Sequence, residues 1–157
     1  MSASRVVAGL GNEYRCDDGA GVLVARAVAA AADGVADVGP ISEPLELLGR
    51  WDGSRLAIVV DTVRSGAEPG TVRVVELDEG VEAPVLVGAR TTSTHGMGFS
   101  LALRLARSLG VAPERVVLVA IEGSVFEPGL GVSAALSGGI EEATSRIMAL
   151  LEEPGDV

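Results

Sequence analysis

Short apolar blocks alternate along this chain with stretches of helical spacing. Residues 4–10, 56–63 and 114–123 are nearly continuous runs of aliphatic side chains, the pattern of strands buried on both faces. Residues 71–77, TVRVVEL, instead alternate apolar and polar, as a strand with one exposed face should. A further short strand is expected over 35–41. Residues 18–32 have helical spacing: Val22, Ala25 and Ala29 fall on one line, Leu23, Ala27 and Ala30 on another. Acidic residues open that segment and Gly34 ends it. A short helix is predicted over Pro44–Gly49 and two longer ones over 97–109 and 140–151. The first of these carries Leu101, Leu105 and Leu109 on one face, and the second carries Ile140, Ile147, Met148 and Leu151.

Strands alternating with helices predict an α/β fold. The expected architecture is a three-layer single domain over residues 1–157, with a mainly parallel, five-stranded twisted sheet and helices on both faces. In such sheets ligands bind outside the carboxyl ends of the strands. Asp18 follows the first strand, Asp61 closes the third and Glu122 closes the last. His95 lies in TTSTHGMG, directly before a predicted helix. The topology is therefore expected to gather these groups at one rim, with Glu122 serving as a structural anchor.

Composition narrows the choices. The chain has 157 residues, 48% of them apolar and only 3% aromatic, so its core must be aliphatic. A net charge of −10 argues against nucleic acid or an acidic membrane face as a partner. No apolar stretch is long enough for a signal peptide or a membrane span, and the one cysteine, Cys16, fits a reducing compartment. A cytoplasmic monomer is expected. There is no lysine, which removes any phosphate-loop lysine.

The opening segment, VVAGLGNEYRCDDGAGVLVARAV over residues 6–28, has the outline of a nucleotide loop. It fails as one. Tyr14 stands where G-x-G-x-x-G needs its third glycine, and two carboxylates would face a pyrophosphate. No cofactor nucleotide is expected. No G-x-S-x-G nucleophile elbow occurs, and the acidic neighbours of Cys16 disfavour a thiolate. Asp18, Asp61 and His95 make better sense as metal ligands. Two carboxylates and an imidazole form a mixed O/N set suited to zinc or nickel, with positions left open for substrate or water. Imidazole ligates only when neutral, so metal engagement is expected to weaken below pH ~6.5, the ordinary histidine value. Gly9, Gly11 and Gly21 are expected to permit tight turns and close helix packing, and Asn12 to bond loop backbone. Asp17 is expected to cap the helix. Arg15 is expected to pair with one of these aspartates or with a substrate.

Four blocks then carry a resemblance. G-L-G-N-E-Y-R-C-D-D-G-A-G over residues 9–21, Asp61 with the following SGAEPGTV, STHGMGFSLALRLARSLG, and AIEGSVFEPGLGVSAAL appear in order along nearly the whole chain. Together they resemble the signature of hydrogenase maturation proteases. The resemblance implies an endopeptidase that removes a C-terminal extension from the nickel–iron hydrogenase large-subunit precursor after nickel insertion. It also implies that nickel, supplied by the precursor, is a recognition element engaged by Asp18, Asp61 and His95. These three are therefore the candidate catalytic and metal-engaging residues. Asp18 stands where some members carry glutamate, so its arm is about one methylene, roughly 1.5 Å, shorter. The alternative is a non-catalytic chaperone or metal-precursor-binding module of the same fold.

Overall fold

The computed structural model describes residues 4–77 and 95–153, with 95–97 described as helix backbone only. One sheet of five strands forms its centre: β1 Arg5–Gly9, β2 Val35–Asp37, β3 Leu56–Val63, β4 Val72–Glu76 and β5 Arg115–Glu122. They lie in the order β2-β1-β3-β5-β4, all parallel except β4, which runs antiparallel along the edge of β5. Among the described residues the α-helices are α1 Ala20–Ala31, α2 His95–Leu109 and α3 Ser137–Leu151. This is the expected mostly parallel α/β sheet with helices packed against it.

Alternation along the strands divides the core in two. In β3, Ala57, Val59 and Val63 join α2 and the 3-10 helix Pro44–Gly49 on one face of the sheet. Leu56, Ile58 and Val60 join α1 and α3 on the other. Every β3 residue is buried, Asp61 and Thr62 included, in keeping with its nearly continuous apolar run. Trp51 and Phe99 meet edge to face on the α2 side, with ring centroids 6.1 Å apart.

The structure departs from expectation in instructive places. The second strand is only three residues long, because Pro40 has no amide hydrogen to continue a ladder; Ile41 rejoins β1 by a single bridge to Leu10. The segment expected as one helix from residue 18 begins as a 3-10 turn, Cys16–Gly19, before α1. His95, expected in a loop, is the first residue of α2, while 91–94 of that expected loop lie outside the described residues. Glycines are tolerated there because the first amides of a helix have no intrahelical partner to lose. The face of α2 carrying Leu101, Leu105 and Leu109 is exposed, at 44%, 37% and 67%. The helix instead buries Phe99, Ala102, Leu103 and Ala106, a stripe whose small alanines let it lie close to the sheet.

Candidate active site

The loop after β1 is built around close backbone approaches. A Cβ on Gly21 would sit 2.5 Å from the Val60 carbonyl oxygen, so only glycine lets α1 start against β3. Gly9 is equally crowded by the backbone of Gly21, and Gly11, at φ 132°, by the carbonyl of Asp18. All three glycines do what their spacing suggested. They hold the 3-10 turn carrying Asp17 and Asp18 against the carboxyl ends of β1 and β3. Asn12 closes an Asx turn, its side-chain oxygen accepting the Tyr14 amide at 2.9 Å.

The two adjacent aspartates have separate fates. Asp17 is fully buried and does not cap a helix. Its carboxylate accepts the amides of Ser124, Val125 and Ser133 at 2.9, 2.8 and 2.6 Å and the Ser133 hydroxyl at 2.9 Å. Burial pushes this carboxyl up, but the donors from Ser133, Val125 and Ser124 outweigh it and hold it below its ordinary value. Asp17 thus ties the β1 loop to the segment after β5. Asp18 is 5% exposed and accepts a single hydrogen bond, from the Asn12 amide to Oδ2 at 2.9 Å. Its Oδ1 takes no donor among the described residues.

Asp61 is fully buried near the carboxyl end of β3. It lies between Val59 and Val63 in the alternation, so its side chain projects to the face that α2 covers. The start of α2 lies at that same rim. Gly98 rests against Pro44, beside Ile41, which bridges to Leu10 just beyond β1; at the far end, Arg107 donates to the Leu77 carbonyl, and Leu77 pairs with Val116 near the start of β5. The helix therefore runs antiparallel to the strands, and its first residue, His95, belongs to the strand-end rim. The His95 side chain lies outside the described residues. Among the described residues no three His, Cys, Asp or Glu side chains form a group that could hold a metal ion.

The remaining candidates have partners outside the Asp18, Asp61 and His95 set. Glu122, 2% exposed, accepts the amide and the hydroxyl of Ser65, and Arg73 lies 3.9 Å away. It is the expected anchor, bracing the β3–β4 turn. Arg15 pairs with neither aspartate; its guanidinium donates to the Phe126 carbonyl at 3.2 Å. Ser124, Phe126 and Ser133 lie in the last of the four signature blocks, AIEGSVFEPGLGVSAAL, where nothing local marks them as partners of Asp17 and Arg15. Beside Arg15, a cavity of about 340 Å³ is lined by Arg64, Ser124, Val125, Phe126 and Glu127.

Comparison with known proteins agrees with this architecture. The family described as HycI, hydrogenase maturation protease, matches residues 35–153. The hydrogenase expression/formation protein HupD of Rhizobium leguminosarum bv. viciae is 32% identical over 96% of this chain and 75% of its own length. The hydrogenase 2 maturation protease of Escherichia coli K12 is 29% identical over 96% of this chain and 92% of its own. The solved hydrogenase maturating endopeptidase HybD of E. coli superimposes with a TM-score of 0.81 at 27% identity, over 96% of this chain and 94% of that one. No described helix is long and apolar enough to cross a membrane. The chain belongs to the hydrogenase maturation protease family, as an endopeptidase that processes the C terminus of the nickel–iron hydrogenase large subunit.

Proposed function

We propose that Asp18, Asp61 and His95 engage the nickel-bearing end of the large-subunit precursor and so lay the scissile bond across the strand-end rim. The observation that carries this reading is the placement of Asp61. A carboxylate fully buried on the same strand face as Val59 and Val63, at the end where α2 begins, is costly to desolvate, and such carboxylates concentrate at functional sites. Asp18 supports it from the neighbouring loop, because the Asn12 amide orients one carboxylate oxygen and leaves the other for a ligand. Nickel here belongs to the substrate. Bound to the precursor, it is a borderline cation that mixed O/N donors accept.

Chemically, the two carboxylates and the imidazole restrict the approach of the precursor and hold the peptide carbonyl in place. Positioning of this kind supplies much of a hydrolytic rate by removing orientational freedom before attack. A carboxylate at the rim is also the group available to take a proton from the attacking water. The protein acts as a monomer in this scheme, one rim on one precursor.

The test is to incubate the protein with a C-terminally extended large subunit, nickel-loaded and nickel-free, and to weigh the products. Release of a short peptide from the loaded form alone is the expected result. Equal cleavage of both forms overturns the role of nickel. Tight binding with unchanged mass would mark a chaperone instead.

A further inference from the structure

We propose that the cavity between Arg15 and Arg64 is a subsite for a carboxylate of the segment being removed. This rests on the reading that the strand-end rim holds the scissile end of the precursor.

The two guanidinium groups come from different loops and converge on one residue. Arg15 lies three positions before Asp18, and Arg64 three positions after Asp61. The Arg15 Nη2 donates to the Phe126 carbonyl at 3.2 Å, while the Arg64 guanidinium carbon stands 4.5 Å from the centre of the Phe126 ring. A guanidinium held over a ring face keeps its N–H edge for other partners. That edge is the part that pairs with a carboxylate through two parallel hydrogen bonds. Arg15 likewise commits one of its five N–H groups to Phe126 and keeps the rest.

Charge distribution sharpens the point. Several other arginines of this acidic chain pair with carboxylates, as Arg26 does with Glu13 and Arg73 with Glu122, while Arg5 and Arg107 each donate to backbone carbonyls. Neither Arg15 nor Arg64 has a carboxylate within ion-pair distance among the described residues, although Glu127 also lines the cavity. A chain of net charge −10 thus presents two available cations side by side at the rim where its substrate must lie. Asp18 and Asp61 repel an anion, which favours this side of the rim for one. Every C-terminal extension ends in an α-carboxylate and thus brings at least one such group. The volume of about 340 Å³ accommodates a terminal residue or an acidic side chain, with Val125 and the Phe126 ring against its aliphatic part.

Binding can be read without cleavage. Arginine Nε–H resonances of the protein are followed by NMR during titration with three probes: N-acetyl-alanyl-alanine, its amide, and N-acetyl-glutamyl-alaninamide. The free acid is expected to shift the Arg15 and Arg64 signals and the amide to leave them in place. The glutamyl probe separates a side-chain carboxylate from a terminal one. Arg64→Gln should weaken the response about tenfold, with Arg64→Lys intermediate. Signals that stay still with every carboxylate probe, or move equally with the amide, overturn the proposal. In precursor processing, Arg64→Gln should raise KM about tenfold while kcat stays within about twofold. An unchanged KM overturns the subsite. Carboxylate binding by a protein that cuts no precursor would leave the subsite standing and refute the processing role of the rim.

Discussion

The Asp17 carboxylate accepts both the backbone amide of Ser133, at 2.6 Å, and its hydroxyl, at 2.9 Å, across 116 residues of chain. With the amides of Ser124 and Val125 on the same group, one buried side chain joins the loop after β1 to the loop after β5. The rim of the sheet is shaped by this clamp, and Asp18 is carried by the turn it anchors.

Asp17→Asn should therefore cost about 3 kcal/mol, since one carboxamide oxygen replaces two charged acceptors and an NH2 group confronts amide donors. Urea unfolding at neutral pH measures it. The Asp17 carboxyl titrates below its ordinary value. A depressed folded-state pKa contributes stability that is complete above the unfolded value, about 3.9, and is lost as pH falls through the folded one. The gap between wild type and Asp17→Asn should thus be constant above about pH 5 and shrink below about pH 4. A gap that persists unchanged into strong acid would contradict the clamp.

Gly21→Ala should destabilise by about 2 kcal/mol despite the better helix propensity of alanine, because its Cβ would meet the Val60 carbonyl at 2.5 Å. Gly138→Ala, in the first turn of α3 with nothing within 4 Å, should stabilise by about 0.5 kcal/mol. Thermal melts of the pair distinguish crowding from a general glycine effect.

Asp18→Asn and Asp61→Asn should each lower precursor processing roughly 100-fold or more while leaving the circular dichroism spectrum unchanged. Mass spectrometry of the precursor after incubation provides the readout. Normal cleavage by both variants would remove these residues from the site.

Glu122→Gln should separate anchor from site. Weakened acceptance from Ser65 and loss of the charge that faces Arg73 should cost about 1–2 kcal/mol. Processing should stay within about twofold when measured below the melting transition. A loss of activity in a fully folded variant would promote Glu122 to the site.

Much of this arrangement is legible in the sequence. Element type follows from local periodicity, so the nearly continuous apolar run 56–63 reads as a buried strand and 18–32 as mostly helix. The rim position of Asp61 follows from its place at the end of such a strand. The sequence separates a structural Asp17 from a candidate ligand Asp18, but the partners of Asp17 are not legible, because its donors come from more than 100 residues away. Leu101, Leu105 and Leu109 mislead for a related reason. Their spacing announces a helix face, but which face meets the sheet depends on how closely the backbone can approach, and Ala102 and Ala106 allow the closer fit.

The sequence by itself therefore determined the α/β class, the strand and helix segments, the glycines at the tight loop and the aspartates and histidine worth watching. Each of these is encoded within a few neighbouring residues by period, backbone freedom or charge. Only the tertiary structure decided that Asp17 is a clamp, that Glu122 is anchored through Ser65 and Arg73, and that Arg15 and Arg64 meet at Phe126. Those outcomes depend on parallel strands bringing remote loops to one edge, where hydrogen-bond partners are chosen by space rather than by order along the chain.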